Sequence, residues 1–112
     1  MVEIWKTIPG ASNYSASNLG RLRGPRGAIL IPYPSQSGYL RIAISLGRNG
    51  FRRFEYVHRL ILLTFQRPAR PKEHAHHKDG DKFNNALENL EWMDAEEHDR
   101  LHGYKDDIEP PI

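Results

Sequence analysis

The 112 residues predict an α+β fold: an N-terminal antiparallel β-sheet, a helix that links it onward, and then a strand–loop–strand–helix unit. Three features predict it. Apolar and polar side chains alternate through residues 39–46, the hydrophobic period turns helical after Val57, and five of the six histidines lie beyond residue 73. A chain of this length supports one compact domain with a modest core.

In chain order, Pro9-Gly10, Gly24-Pro25, Gly27, Ser37-Gly38, Asn49-Gly50 and Asp79-Gly80 mark turns. Asn18-Leu-Gly-Arg-Leu-Arg23 reads as a turn leading into a basic edge strand, and Ile29 to Tyr33 as a short strand interrupted by Pro32. Leu40, Ile42, Ile44 and Leu46 alternate with Tyr39, Arg41, Ala43 and Ser45, the period of a half-buried strand, so Arg41 faces away from the core. Asn49-Gly50 suits a two-residue hairpin turn, after which Phe51 to Val57, aromatic and β-branched, returns antiparallel. Leu60, Ile61, Thr64 and Phe65 recur at helical spacing until Pro68 stops the run, and Arg67-Pro-Ala-Arg-Pro71 is a stiff connector. His74 to His77 forms the next strand, a polar loop runs from Lys78 to Glu88, and Leu90-Glu-Trp-Met93 is the returning strand. Asp94 and Glu97 are spaced as N-cap and N3 of a short helix ending at Gly103. The expected organisation is therefore a β-rich element over 1–56, linking helix and connector over 57–71, the strand–loop–strand–helix unit over 72–103 and an acidic tail over 104–112.

Charge is divided unevenly along the chain. Residues 1–72 hold 12 Lys and Arg against only Glu3 and Glu55, a net +10, whereas residues 73–112 hold 4 against 12 acids, a net −8. Ten of the first twelve cations are Arg, suited to bidentate phosphate contacts, and a phosphate-binding surface on double-stranded DNA is expected. The candidate contacts are Arg21, Arg23, Arg26, Arg41, Arg48, Arg52 and Arg53. The absence of cysteine excludes disulfides and thiolate zinc sites, leaving His, carboxylate and amide as metal ligands. No apolar run approaches the roughly 18 residues of a membrane span and no secretory leader opens the chain, so an intracellular protein without membrane contact is expected. No helix carries a dimer seam, and a monomer is expected.

The histidines carry the chemistry. His98 and His102 lie i, i+4 and share one helix face, whereas strand alternation turns His76 and His77 to opposite sides. That geometry divides labour between a histidine that binds metal and one that moves a proton, roles imidazole suits near neutral pH. Asn89, directly before the returning strand, is either a turn residue bonded to its own backbone or a staple that holds the loop and orients a histidine.

His76-His-Lys-Asp-Gly-Asp-Lys-Phe-Asn-Asn-Ala-Leu-Glu-Asn-Leu-Glu-Trp92 resembles the HNH motif of phage and intron-encoded homing endonucleases. Glu3-Ile-Trp-Lys-Thr-Ile-Pro-Gly10, Tyr14-Ser-Ala-Ser-Asn-Leu-Gly-Arg-Leu-Arg23 and Gly38-Tyr-Leu-Arg41 resemble the nuclease-associated modular DNA-binding element that precedes such motifs, and Val57-His-Arg-Leu60 with Phe65 resembles their linking helix. The resemblance implies a ββα-metal, or His-Me finger, unit with His77 as general base, His76 and His98 as metal ligands, and Asn89 as the central Asn constraining the catalytic loop. It implies hydrolysis of DNA to 5′-phosphate and 3′-hydroxyl ends with one divalent ion, in the host cytoplasm if the gene is phage-borne. Many relatives have Asn or Asp where His76 stands and Asn where His98 stands. The ion is expected to be Mg or Mn, and two imidazole ligands also suit Zn or Ni. His102 is a candidate third ligand or a helix-face residue near the phosphate, Asp79 a turn former or a partner to a histidine, and His58 a residue expected to make a structural hydrogen bond at the helix start rather than to act in catalysis. The competing reading is a non-catalytic DNA-binding module in which His76, His98 and His102 close a structural zinc site. No stacking-aromatic signature of the common RNA modules is present.

Overall fold

The computed structural model describes residues 2–46 and 51–95. β1 (Trp5–Ile8), β2 (Ala11–Ser17) and β3 (Leu22–Arg23) form an antiparallel sheet in that order. Pro9-Gly10 turns β1 into β2 with Gly10 at φ 78°, a conformation that favours glycine. Ile8, Ala11, Tyr14 and Ala16 from this sheet are buried. The turn between β2 and β3 is built around the fully buried Ser17, whose hydroxyl accepts from Leu19 and Arg21 N–H at 3.2 and 3.1 Å. Asn18 ties the same turn to the start of the chain, accepting from Ile4 N–H at 2.6 Å and donating to Val2 O at 3.1 Å.

The strand expected over Ile29 to Tyr33 is not continuous. Ile29 makes one bridge to Arg23, and β4 is only Tyr33–Pro34. Pro32 and Pro34 lack the N–H a ladder needs, and Ile31 is left 89% exposed. β4 pairs with β5 (Leu40–Leu46), which pairs antiparallel with β6 (Phe51–Tyr56) from Arg41↔Tyr56 to Leu46↔Phe51. The expected Asn49-Gly50 turn and Arg48 lie outside the described residues. Ile42 and Ile44 face the core, and Arg41 faces away, as the alternation predicts.

α1 (Val57–Phe65) follows β6 without a loop and buries Val57, Leu60, Ile61 and Leu62. These residues join Ile8, Ala16, Leu22, Ile42 and Ile44 in one core that also takes Ala75 and Leu90 from the last hairpin. Burying side chains of this size contributes about 1.5–3 kcal/mol each. The hairpin is β7 (Glu73–His77) paired with β8 (Leu90–Asp94), preceded by a connector whose Lys72 adopts φ 69°. Trp92 Nε1 donates to Arg67 O at 3.0 Å and Ala95 N–H to Lys72 O at 2.7 Å, so β8 is bonded to the connector. The fold is α+β with antiparallel sheets and one helix among the described residues. Beyond Ala95 the expected helix, with His98 and His102, lies outside them.

Candidate active site

The pleat of β7 separates its histidines. His77 pairs with Leu90 and shares a face with the buried Ala75, whereas His76 pairs with Glu91 and shares the opposite face with His74. Both rings are buried, His76 at 6% and His77 at 5% exposure. His77 is packed against His58 at the start of α1, ring centroids 4.7 Å apart, and His58 stacks on Tyr39 at 4.9 Å. Lys82 lays its ammonium 4.8 Å from the Tyr39 ring centroid and donates to Ser37 O at 3.0 Å. Tyr39, directly before β5, and Lys82 are site neighbours that sequence reading did not single out. His58, expected to make a structural hydrogen bond at the helix start, has its ring packed between those of Tyr39 and His77.

The loop from Lys78 to Glu88 is fixed from within. Asn89, 8% exposed, accepts from Asp79 N–H at 3.1 Å and donates through Nδ2 to Asp79 Oδ1 and Asn84 O, each at 2.9 Å. Asn84 Nδ2 donates to Asp79 Oδ2 at 2.8 Å, and Asp81 N–H to Asp79 Oδ1 at 2.8 Å. These donors, Asn84 foremost, hold the Asp79 carboxyl below its ordinary range. Asn89 and Asp79 are thus bonded to each other across the loop. The ring of His77 is bonded by a different residue: its Nε2 lies 2.8 Å from Oδ1 of the buried Asn85. An amide oxygen only accepts, so Nε2 is the donor in this contact. The doubled Asn84-Asn85 was the available sequence signal, but nothing in the string separates the two roles.

The candidate DNA-binding arginines do not share one environment. Arg21 is ion-paired with Glu3, and Arg53 with Glu55. Arg23 lies 4.0 Å from the Trp5 ring centroid. Arg41 lies 4.6 Å from that of Phe54 and 5.4 Å from that of Tyr33, on the sheet face it shares with Arg52. A cavity of about 350 Å³ beside it is lined by Ser35, Gln36, Ser37, Arg41 and Tyr56. Arg26 and Arg52 are exposed.

His76 offers a buried nitrogen donor of the kind a divalent ion takes, on the hairpin face opposite His77. Among the described residues no three His, Asp or Glu side chains converge as a metal site; His98 and His102, expected as ligands, lie outside them.

Residues 55–100 match the family described as HNH endonuclease, and residues 3–45 match the NUMOD4 motif. Two uncharacterized HNH endonucleases of Acanthamoeba polyphaga mimivirus are 36% and 33% identical to this chain over 82% and 86% of its length. DNA endonuclease I-HmuI of Bacillus phage SP01 is 35% identical over 80% of it. The chain spans 27%, 25% and 51% of the lengths of those three proteins. A solved structure of DNA binding and cleavage by the HNH homing endonuclease I-HmuI superposes with a TM-score of 0.75 at 31% identity, covering 89% of this chain and 59% of that one. With the two matches in this order along the chain, it carries a NUMOD4 motif ahead of an HNH endonuclease domain and is similar over most of its length to the HNH homing endonuclease I-HmuI.

Proposed function

We propose that this chain is a metal-dependent endonuclease that hydrolyses phosphodiester bonds of double-stranded DNA to 5′-phosphate and 3′-hydroxyl ends. The observation that carries the proposal is His77, held at the end of β7 with its Nε2 on Asn85, beside the loop closed by Asn89 and Asp79. His77 takes one proton from a water, whose oxygen bonds to phosphorus as the bond from phosphorus to the 3′ oxygen breaks; that oxygen then takes a proton from solvent. His76 and His98 would hold one divalent ion, Mg or Mn, with Zn or Ni also compatible with imidazole ligands. When bound, the ion would supply positive charge against the phosphate, the departing 3′ oxygen and the net negative charge of this half of the chain. Arg23, Arg26, Arg41 and Arg52 contact backbone phosphates. The I-HmuI structure, which concerns DNA binding and cleavage, supports duplex DNA as the partner.

The test is cleavage of supercoiled plasmid with Mg, Mn, Ni or Zn beside a His77→Ala control. Conversion to nicked or linear DNA by the wild type, falling about 10²–10⁴-fold in the variant, is expected. Intact plasmid with all four ions sinks the reading. Chelation is expected to silence cleavage and leave the fold; unfolding on chelation instead points to a closed structural zinc site.

A further inference from the structure

We infer that Phe54 is a specificity-determining residue of the β4–β6 sheet, packing against the C5-methyl groups of thymines in the major groove of the duplex whose phosphates the neighbouring arginines hold. The inference rests on the reading of double-stranded DNA as the partner. The register places Phe54 on the sheet face that looks away from the core. Tyr33 stands opposite Arg41, Ala43 opposite Phe54 and Ser45 opposite Arg52, and residues two apart along a strand share a face. The other face carries Ile42 and Ile44, both buried. Phe54 is 48% exposed and Tyr33 41%, so two large rings meet solvent where the core has no use for them.

This face is cationic and apolar at once, and the two characters have separate tasks. Arg41 and Arg52 share it with Phe54, in a segment of net charge +10 over residues 1–72, so it complements a polyanion. Phosphate contacts fix where a protein sits on a duplex but carry no sequence information, which comes from the base edges. What those edges offer an aromatic ring in the major groove is the thymine methyl group. The groove, about 12 Å wide, admits a two-stranded β-ribbon such as β5 with β6. The Phe54 ring is also held ready for contact. The Tyr33 ring meets it edge to face, 6.3 Å between centroids at 87°, and the Arg41 guanidinium lies 4.6 Å from its centroid. A ring braced by two neighbours loses little further freedom on binding, so its exposed part can discriminate between bases.

The experiment is fluorescence anisotropy without divalent ion, so that binding is read and nothing is cut. The probes are alternating duplexes of equal length: thymine against uracil opposite adenine, and 5-methylcytosine against cytosine opposite guanine. Within each pair only the C5-methyl group differs. The wild type is expected to bind the methylated member of each pair about 3- to 5-fold more tightly. The ratio should vanish in Phe54→Ala and largely survive in Phe54→Leu, which keeps an apolar contact. A ring that only braces Arg41 would lower the affinity of Phe54→Ala for all four duplexes alike and leave the ratios standing, which overturns the proposal. A wild type indifferent to the methyl group overturns it without any variant. Preference for thymine over uracil without preference for 5-methylcytosine also overturns it, because groove shape is then what is read. If Phe54→Ala does not fold, Phe54→Gln, which fills the position with a polar chain, must lose the ratios instead. Failure to bind any of the four refutes the DNA reading as well, whereas methyl-selective binding by a protein that leaves plasmid intact refutes the nuclease reading alone.

Discussion

Each acid in the first 72 residues sits against an arginine, Glu3 on Arg21 and Glu55 on Arg53. The Arg21 guanidinium, bonded through Nε at 2.8 Å, is the main reason the Glu3 carboxyl falls to about 2. Two of the candidate phosphate contacts are therefore already spent on carboxylates, which reading along the chain does not reveal because Glu3 and Arg21 come together only when β1 to β3 pair. Arg41 differs: its guanidinium lies over Phe54 and Tyr33, and its Nε has no hydrogen-bond partner among the described residues. Arg41→Ala is expected to weaken DNA binding and reduce the slope of log affinity against log salt by about 0.9, the value for one lost phosphate contact. Arg53→Ala should leave that slope nearly unchanged. Fluorescence anisotropy across a salt series reads both, and equal slope changes would show that Arg53 leaves Glu55 for DNA.

The elements that were legible are those with a local period. β5 follows its alternation and α1 its helical repeat, while β7 turns its histidines apart because the pleat requires it. The Ile29 to Tyr33 segment, read as a strand interrupted by Pro32, is reduced to one bridge and a two-residue strand because Pro32 and Pro34 lack the N–H that pairing needs. Asn85 was not legible, because its bond to His77 is set by the path the Asp79–Asn89 bonds give the loop rather than by residue type. The connector into β7 is held by Glu73, whose carboxylate takes both Arg67 terminal nitrogens at 2.7 and 2.9 Å and Arg70 N–H at 2.6 Å. Arg67 is the largest cause of its fall from 4.5 to about 2. A carboxyl depressed in the folded state stabilises fully above its ordinary value, so this contribution is lost as pH falls from 4.5 through about 2. Urea midpoints should drop between about pH 5 and pH 3, and by less in Arg67→Gln, which retains only the shares of groups such as Glu3. An identical acid dependence in the variant would remove Glu73 from the account.

At the scale of the molecule, the NUMOD4 half and the HNH half meet directly at the loop from Lys78 to Glu88. Gly20, at φ 88°, lies against Asn85; Asn18 bonds Leu87; and Lys82 reaches back to Ser37 and Tyr39. Gly20→Ala combines a disfavoured backbone conformation with a backbone clash and is expected to cost about 1–3 kcal/mol. Because the clash falls on Asn85, cleavage should decline more than a loss of folded protein explains, which urea unfolding and plasmid assays on one preparation will separate. Full specific activity in the folded variant would show that the loop yields without disturbing His77. The seat supplied by Gly20 and Asn18 bears on how such proteins can be recombined. A chimera that exchanges residues 3–45 for an unrelated recognition module removes the wall against which the loop closes, even when the whole histidine motif is retained. Grafts should therefore tolerate exchange of the exposed arginine face and fail at the turn after β2.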